Sequence, residues 1–208
     1  MFATDADLLE LEPTLFVRLA WPAQRVLQTT GEIASGVLEI DDAGRSFADA
    51  GVGPGSVVTH GRTPLEVVGL DGAHRAIVSH PRAGGDPIAP EDSGEQPVRV
   101  VSFLPQLALA HRQAMSLLGL DPDLVENAME MVLTPGPLRR IEALGAMVLV
   151  YAAASAAGDA DASLAERAAL YRRLFAEARR SARVTLDLDL DGEADATRRF
   201  GGVSMWRG

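Results

Sequence analysis

The period of the apolar residues changes near residue 103, and this change limits the folds that the chain can adopt. Before it, short runs rich in valine, isoleucine, leucine and threonine alternate with residues that favour turns. After it, apolar residues recur at helical spacing over longer segments. We therefore expect strands in the first part of the chain and helices in the second.

The strand-like runs have the spacing of a small barrel. They are Arg25–Thr30, Val37–Ile40, Ser56–His60, Leu65–Leu70, Ala76–Ser79 and Val98–Ser102. Turn residues separate them, as in Asp71-Gly72 and in the glycine-rich stretch Gly51–Gly55. Strands at this spacing predict a small antiparallel barrel. The stretch Arg82–Gln96, which contains Pro/Gly clusters and acids, is expected to be a loop or linker.

Helical patterns cover the rest of the chain. The predicted helices after the barrel span about Leu104–Leu118, Pro122–Val132, Pro137–Ala157 and Ser163–Arg183. Gly119 is a C-cap candidate for the first, and Ser163 with Glu166 forms a capping-box pattern at the start of the last. A short helix pair from Thr4 to Arg18 is expected before the barrel, with Thr4 as its N-cap.

These patterns together predict an α+β fold, in which a helical bundle carries an inserted small antiparallel β-domain and an extended C-terminal tail. The expected segments are an N-terminal helical segment (1–22), a β-rich, barrel-like domain with linker (23–102), a helical bundle (103–183), and a C-terminal strand and docking tail (184–208). We find no internal repeat that would suggest a solenoid.

Composition excludes several classes of function. The chain has no cysteine, so disulfides, thiolate metal sites and cysteine nucleophiles are ruled out. A net charge of −10 argues against ordinary nucleic-acid binding. It is compatible with a channel through which DNA slides, because an acidic wall repels phosphate. We expect neither a membrane span nor a signal peptide, because no long apolar run and no basic leader are present.

Catalytic motifs do not emerge from the sequence. The four histidines, His60, His74, His80 and His111, stand in no i, i+4 pair and beside no nucleophile motif. The chain lacks lysine, which excludes a Walker A site. We therefore expect a protein that is not an enzyme. The remaining enzymatic alternative is a small hydrolase in which acids such as Asp86 and Glu91 meet a histidine in the fold.

An acidic segment near the C-terminus has the beginning of a calcium-loop pattern. Asp187, Asp189, Asp191 and Asp195 occupy positions 1, 3, 5 and 9, and a glycine occupies position 6. Position 12, which normally carries a bidentate glutamate, is Arg198. Two interpretations stay open: an exposed strand and turn without any cofactor, or a calcium-stabilised binding module.

The C-terminal tail carries residue types that dominate protein interfaces. These residues are Arg198, Arg199, Phe200, Met205, Trp206 and Arg207. Arginine and large aromatic residues are enriched at interface hot spots, whereas solvated tails are depleted of aromatics. We expect this tail to dock onto a partner by strand addition or by insertion into a groove.

Several segments resemble head-to-tail adaptor (connector) proteins of long-tailed bacteriophages and phage-like particles. The similar segments cover about half of the chain: the segment from Leu144 through Leu170–Phe175 to Asp187–Gly192, then Thr197–Arg199 with the aromatic end, and, earlier, Ala6–Pro13, Ala50–Val58 and Pro64–Val68.

The resemblance implies a structural protein of the virion neck, assembled in the cytoplasm of the bacterial host. Such adaptors form a ring, usually of twelve copies, between the portal and a downstream neck (stopper) protein, and DNA passes the lumen without specific binding. Residues 104–183 would build the ring, and residues 184–208 would dock onto the portal. The β-rich segment Arg25–Ser102 would be a decoration that faces outward or toward the next neck protein.

Overall fold

The strands of the first part of the chain close into a barrel in this computed structural model, which describes residues 1–19, 21, 24–41, 44–82, 85–157 and 162–200. The strands are β1 (Arg25–Ala34), β2 (Val37–Ile40), β3 (Val57–His60), β4 (Thr63–Leu70), β5 (Arg75–Ser79) and β6 (Ser93–Val101). Their order around the barrel is β1-β2-β5-β4-β3-β6, and β6 pairs back onto β1. All neighbouring pairs are antiparallel. The prediction of a small antiparallel barrel is confirmed.

Local sequence explains how the barrel strands begin and turn. Ser35 and Gly36 form the two-residue turn between β1 and β2, with φ angles of 52° and 76°. This left-handed pair matches the twist of the two strands, and a side-chain oxygen of Asp92 accepts the N–H of Ser35 at 2.6 Å. Aliphatic side chains that alternate along the strands fill the interior, together with Phe47 from the β2–β3 connection.

A short helix pair precedes the barrel, as the sequence predicts. The helices are α1 (Asp5–Leu11) and α2 (Leu15–Arg18), and Thr4 and Asp7 form a capping box at the start of α1. The N–H of Ala6 donates to the carbonyl of Gly55 at 2.9 Å. The rings of Phe16 and Phe103 meet edge to face, 5.2 Å apart, with both side chains buried. These contacts attach both helices to the unit that contains the barrel, Thr4–Leu104.

The second compact unit consists of Met1–Ala3 and the chain from Pro105 onward. Its elements are α3 (Leu104–Leu117), α4 (Pro135–Ala156), α5 (Ala162–Ser181) and the antiparallel hairpin β7 (Arg183–Leu186) and β8 (Ala196–Arg199). Helix α4 is central, since residues 141–147 are buried on all sides. At Gly145, a Cβ would lie 3.1 Å from Ala110 of α3 and 3.3 Å from the ring of Phe175 of α5. The missing side chain therefore allows both helices to approach α4 closely.

The predicted fold class, a helical bundle with an inserted small β-domain and an extended tail, is wrong. The barrel is closed, and with its helix pair it forms a unit about as long as the helical one, so it is not a small domain inserted into a bundle. The predicted helix at 122–132 is a series of turns, in which Asn127 has a left-handed φ of 55°. Of the predicted extended tail, the described residues up to Arg199 instead fold back as the β7–β8 hairpin, and residues 201–208 lie outside the described residues. The finer division into four segments stays a prediction.

Candidate functional site

The residues predicted to dock onto a partner begin in the β7–β8 hairpin. Phe200 is 3% exposed and packs into the apolar core of the helical unit, beside residues of α3, α4 and β7. Arg198 turns back onto the helical unit of the same chain, where its guanidinium donates to the carbonyl of Leu118. Arg199 is exposed on β8. Met205, Trp206 and Arg207 lie outside the described residues, and partner docking by the whole set stays a prediction.

One end of the hairpin is basic. Arg183 of β7 and Arg199 of β8 are direct partners in the antiparallel register, so their side chains leave the same face of the sheet. Both are exposed, and within the described ranges neither forms an ion pair with an acid. Like charges directly opposite each other destabilise a strand pair. We call this pair the arginine end of the hairpin.

The other end of the hairpin is an acidic loop, residues 187–195, whose carboxylates hold its backbone. Asp187 is buried and accepts the N–H groups of Asp191 at 3.2 Å and Gly192 at 2.8 Å. Asp195 accepts the N–H of Leu188 at 2.7 Å. We call residues 187–195 the acidic loop. Carboxylates of the loop thus accept hydrogen bonds from the loop's own backbone N–H groups, which explains how five acids are accommodated in nine residues.

The acids of this loop influence one another's ionisation. Burial opposes ionisation of Asp187, but hydrogen bonds from the backbone N–H groups of Gly192, Leu190 and Asp191 outweigh it, and the pKa of Asp187 is lowered. Desolvation and the charges of Asp191 and Asp195 raise the pKa of Asp189. Desolvation and the acidic neighbours thus oppose the ionisation of Asp189.

Three of the four calcium candidates converge. Asp187, Asp189 and Asp195 each place a carboxylate oxygen within 4.8 Å of the others, whereas Asp191 is not part of this group and accepts the N–H of Glu193 instead. Three carboxylates could supply oxygen ligands to a hard divalent cation, which normally takes six to eight. Both oxygens of Asp187 already accept backbone hydrogen bonds. Calcium binding stays a prediction.

A buried acid and histidine occupy the interior of the helical unit. Nδ1 of His111 lies 2.6 Å from Oε1 of Glu142, and Oε2 of Glu142 accepts the N–H groups of Phe2 and Ala3, both at 2.8 Å. Glu142 is fully buried and His111 is 8% exposed. Both carboxylate oxygens and Nδ1 are committed to these bonds, so the arrangement ties the N-terminal residues to α4. A signal for it was present in the sequence: Glu142 is the one acid within the apolar stretch 141–150.

In the barrel unit, Glu91, one of the two acids considered for a hydrolase, lies close to two histidines. A cavity of about 370 Å³ is lined by His60, His80, Glu91 and Ser93, among others, whereas Asp86 is not among its lining residues. His60 is held by its Nε2, 3.0 Å from the carbonyl of Gly31, and its Nδ1 lies 3.4 Å from the hydroxyl of Ser93. A distance of 3.4 Å is long for a hydrogen bond that would activate a nucleophile.

A shallow groove runs along α3 in the helical unit. Its volume is about 660 Å³, and its lining includes Leu109, Leu117, Arg112, Asp121 and Arg179. Leu109 and Leu117 are 38% and 48% exposed, so the floor of the groove is partly apolar. The groove holds charges of both signs and has no histidine in its lining, which fits a contact surface better than a reaction centre.

In the part of the chain that the structure describes, no helix has both the length and the apolar character to cross a membrane. Comparisons with protein-family models, with curated proteins and with solved structures found no match to this chain.

Proposed function

We propose that this chain is a structural head-to-tail adaptor of a tailed bacteriophage or phage-like particle. It forms a ring, of twelve copies in the simplest case, between the portal and a downstream neck protein, and it lines the DNA channel of the virion neck. It makes and breaks no bond, needs no cofactor, and assembles in the host cytoplasm. The proposal rests on the sequence resemblance and on the surface of the helical unit.

The observation that carries the proposal is the exposure of large apolar side chains on the loops of the helical unit. Leu124 is 84% exposed, and Leu188 and Leu190 of the acidic loop are 39% and 41% exposed. Leu190 also has a left-handed φ of 63°, which is strained for a leucine. An exposed leucine forgoes the free energy of burial, which a partner that covers it would supply, and a left-handed leucine is held against its backbone preference.

Helix α5 also has apolar side chains that are incompletely buried, which supports a role in assembly. Among its 20 residues, only Ala168 and Tyr171 are buried, while Leu174 and Phe175 are half-buried and Leu170 is 40% exposed. A helix of this length is held mainly by the packing of its apolar face. Contact with a neighbouring copy would bury the remaining apolar area of this helix.

The charge and the interior of the protein are compatible with a conduit. A net charge of −10 repels phosphate, so DNA can pass without being held. The buried carboxylates of Glu142 and Asp5 accept backbone hydrogen bonds from Phe2, Ala3 and Phe103, which is a structural use of ionisable groups.

The test is complementation of particles that lack this protein. A Trp206→Ala/Arg207→Ala variant retains the residues up to Phe200, including all of β8 and the buried phenylalanine, so its fold is expected to persist. We expect full heads that fail to join tails, with circular dichroism of the variant unchanged. Normal joining by this variant would argue against portal docking by the tail, and normal joining without the protein would refute the adaptor role.

A calcium-stabilised binding module is the second candidate, and the convergence of Asp187, Asp189 and Asp195 favours it. In that case calcium would raise the midpoint of thermal unfolding in proportion to the logarithm of its concentration above Kd, and a chelator would reverse the effect. An adaptor whose acidic loop serves a protein contact predicts no such shift.

A further inference from the structure

The β7–β8 hairpin has opposite charges at its two ends. Arg183 and Arg199 lie at one end, and the acidic loop with its five acids and no base lies at the other. Each strand has four residues, so the two ends are separated by roughly 10–13 Å at about 3.3 Å per residue. An ion pair requires approach to about 4 Å, so the two ends do not neutralise each other within one hairpin.

We propose that the acidic loop of one copy of the chain docks against the arginine end of the hairpin in the next copy. The occupant of the arginine end is therefore a second copy of this chain, and the contact is heterologous, with a different surface used on each side. Repetition of such a contact produces a ring when the rotation between copies closes, or a filament when it does not. This inference rests on the proposed function, because it supplies the contact by which an adaptor ring would grow.

Charge complementarity is the first argument for this contact. Arg183 and Arg199 repel each other across the strand pair, and an acidic group placed between them would replace that repulsion by attraction. In the acidic loop, Asp187, Asp189 and Asp195 place carboxylate oxygens within 4.8 Å of one another, and Asp189 and Asp195 are exposed, so this loop too gains from a nearby cation. Both surfaces are thus electrostatically unfavourable alone and favourable together.

The apolar residues of the acidic loop are the second argument. Leu188 and Leu190 are exposed beside the acids, and Leu190 has a left-handed backbone. An acidic loop that served only to keep the protein in solution would gain nothing from two exposed leucines and a strained backbone. A leucine flanked by acids suits docking onto a surface that combines arginine with apolar groups, since burial of the leucine adds affinity and the charges fix the register.

DNA phosphate could also bind to the arginine end, but the observations favour protein. Two arginines on a chain of net charge −10 neutralise few phosphates, and affinity for DNA rises with that number. A phosphate ligand would also leave the exposed leucines of the acidic loop unexplained. Charge reversal of the acidic loop separates the two ligands, because only the protein contact requires the acids of the loop.

The absence of cysteine makes a cross-linking test direct. Glu193→Cys marks the acidic loop, and Thr197→Cys marks the outer face of β8 beside Arg199; both positions are exposed, and neither side chain is part of the core. We expect a short bismaleimide to join the two variants to each other in a mixture of the purified full-length proteins. Each variant alone should give few dimers, because a heterologous contact does not bring identical positions together.

Charge reversal provides the control on the same cross-link. Arg183→Glu/Arg199→Glu reverses the arginine end, and Asp189→Arg/Glu193→Arg reverses the acidic loop while leaving in place Asp187, Asp191 and Asp195, which accept its backbone N–H groups. For these combinations the loop cysteine is moved to Ala194, which is exposed and is neither an acid nor one of the two leucines. Reversal of one end in both partners should reduce cross-linking by at least about tenfold, since like charges then meet. Loop-reversed protein mixed with arginine-reversed protein should recover it.

Three results would overturn the inference: no cross-linking of the mixed cysteine variants at high protein concentration, dimers formed equally by each variant alone, or a dependence on the arginines without a dependence on the loop acids. The last result would indicate an anionic ligand such as DNA. Failure here is distinguishable from failure of the adaptor role. Cross-linking without any effect of the chain on head–tail joining would refute the adaptor role alone, and defective joining by the tail variant without cross-linking would refute this contact alone.

Discussion

Nδ1 of His111 on α3 lies 2.6 Å from Oε1 of Glu142 on α4, in the interior of the helical unit. The two atoms share one hydrogen bond, which connects α3 to α4. The other oxygen of Glu142 accepts the N–H groups of Phe2 and Ala3. One fully buried carboxylate therefore joins two helices and the N-terminal residues.

Replacement of Glu142 should show how much this network contributes to stability. Glu142→Ala leaves two backbone N–H groups and the imidazole without their acceptor, and we expect a loss of about 3–5 kcal/mol in the free energy of unfolding. Glu142→Gln retains an acceptor of the same shape and should lose less. Urea unfolding followed by circular dichroism measures both. A loss below about 1 kcal/mol for the alanine variant would show that the network is not structural.

The stability of the barrel unit should depend on pH through Asp5. Burial raises the pKa of Asp5 from 3.8 to about 6, against the effect of the hydrogen bonds from the N–H of Phe103 and from Ser102. Because the folded-state pKa is the higher one, the folded protein binds more protons than the unfolded chain between about pH 4 and pH 6. Protonated Asp5 therefore contributes to the free energy of unfolding. This contribution is fully present below pH 3.8 and is lost as the pH rises through about 6.

Asp5→Asn tests this pH dependence. The amide keeps an acceptor for the N–H of Phe103 but has no charge to bury, so we expect the variant to be more stable than the original protein at pH 7–8 by about 1–3 kcal/mol. The difference should shrink toward pH 4. Urea titrations at a series of pH values give the result, and a constant difference across that series would contradict the assignment.

Close packing around Gly145 makes a prediction with a matched control on the same helix. A Cβ at Gly145 would lie 3.1–3.3 Å from Ala110 and Phe175, whereas a Cβ at Gly136 would meet nothing within 4 Å. Gly145→Val should therefore destabilise the protein by about 1–3 kcal/mol, because α3 and α5 must move apart. Gly136→Ala meets no neighbour, so its effect should be limited to the restriction that the following Pro137 places on its backbone and should stay below about 1 kcal/mol. Thermal unfolding of the two variants makes the comparison, and equal midpoints would rule out close approach at Gly145.

Asp189 distinguishes the two interpretations of the acidic loop. Asp189→Asn removes a charge from a crowded group of acids, so without calcium the variant should be at least as stable as the original protein. If calcium binds to Asp187, Asp189 and Asp195, its addition should raise the melting midpoint of the original protein and have a smaller effect on the variant. Midpoints that are unaffected by calcium and by chelator in both proteins would remove the calcium interpretation.

The barrel was predictable because its strands obey local rules. Alternating or continuous β-branched runs, separated by turn residues such as Gly51–Gly55 and Asp71-Gly72, indicate strands whatever the rest of the chain does. The start of β6 was not predictable in this way. Residues 93–97 are polar and exposed and include Gly94 and Pro97, so they lack a core-facing pattern, and their pairing with β1 depends on barrel closure.

In the helical unit, tertiary contacts decided what local patterns could not. The segment 122–132 has helical spacing, but Val132 forms a bridge to Leu186 and the N–H of Leu133 donates to the carbonyl of Thr185, so its end follows the hairpin. Phe200 reads as an interface residue from composition, yet it fills the core beside β7. The acidic loop was identified from its residues, but the arginine end depends on the register that places Arg183 opposite Arg199.

The most direct test of the account is to mix the purified chain with portal rings from the same particle and to determine the mass of the product by native mass spectrometry. The account predicts a discrete complex in which a closed ring of the chain, twelve copies in the simplest case, is bound to one portal ring. Disruption of the arginine end or of the acidic loop should prevent ring closure. A chain that stays monomeric in the presence of portal rings and binds none of them would contradict the account.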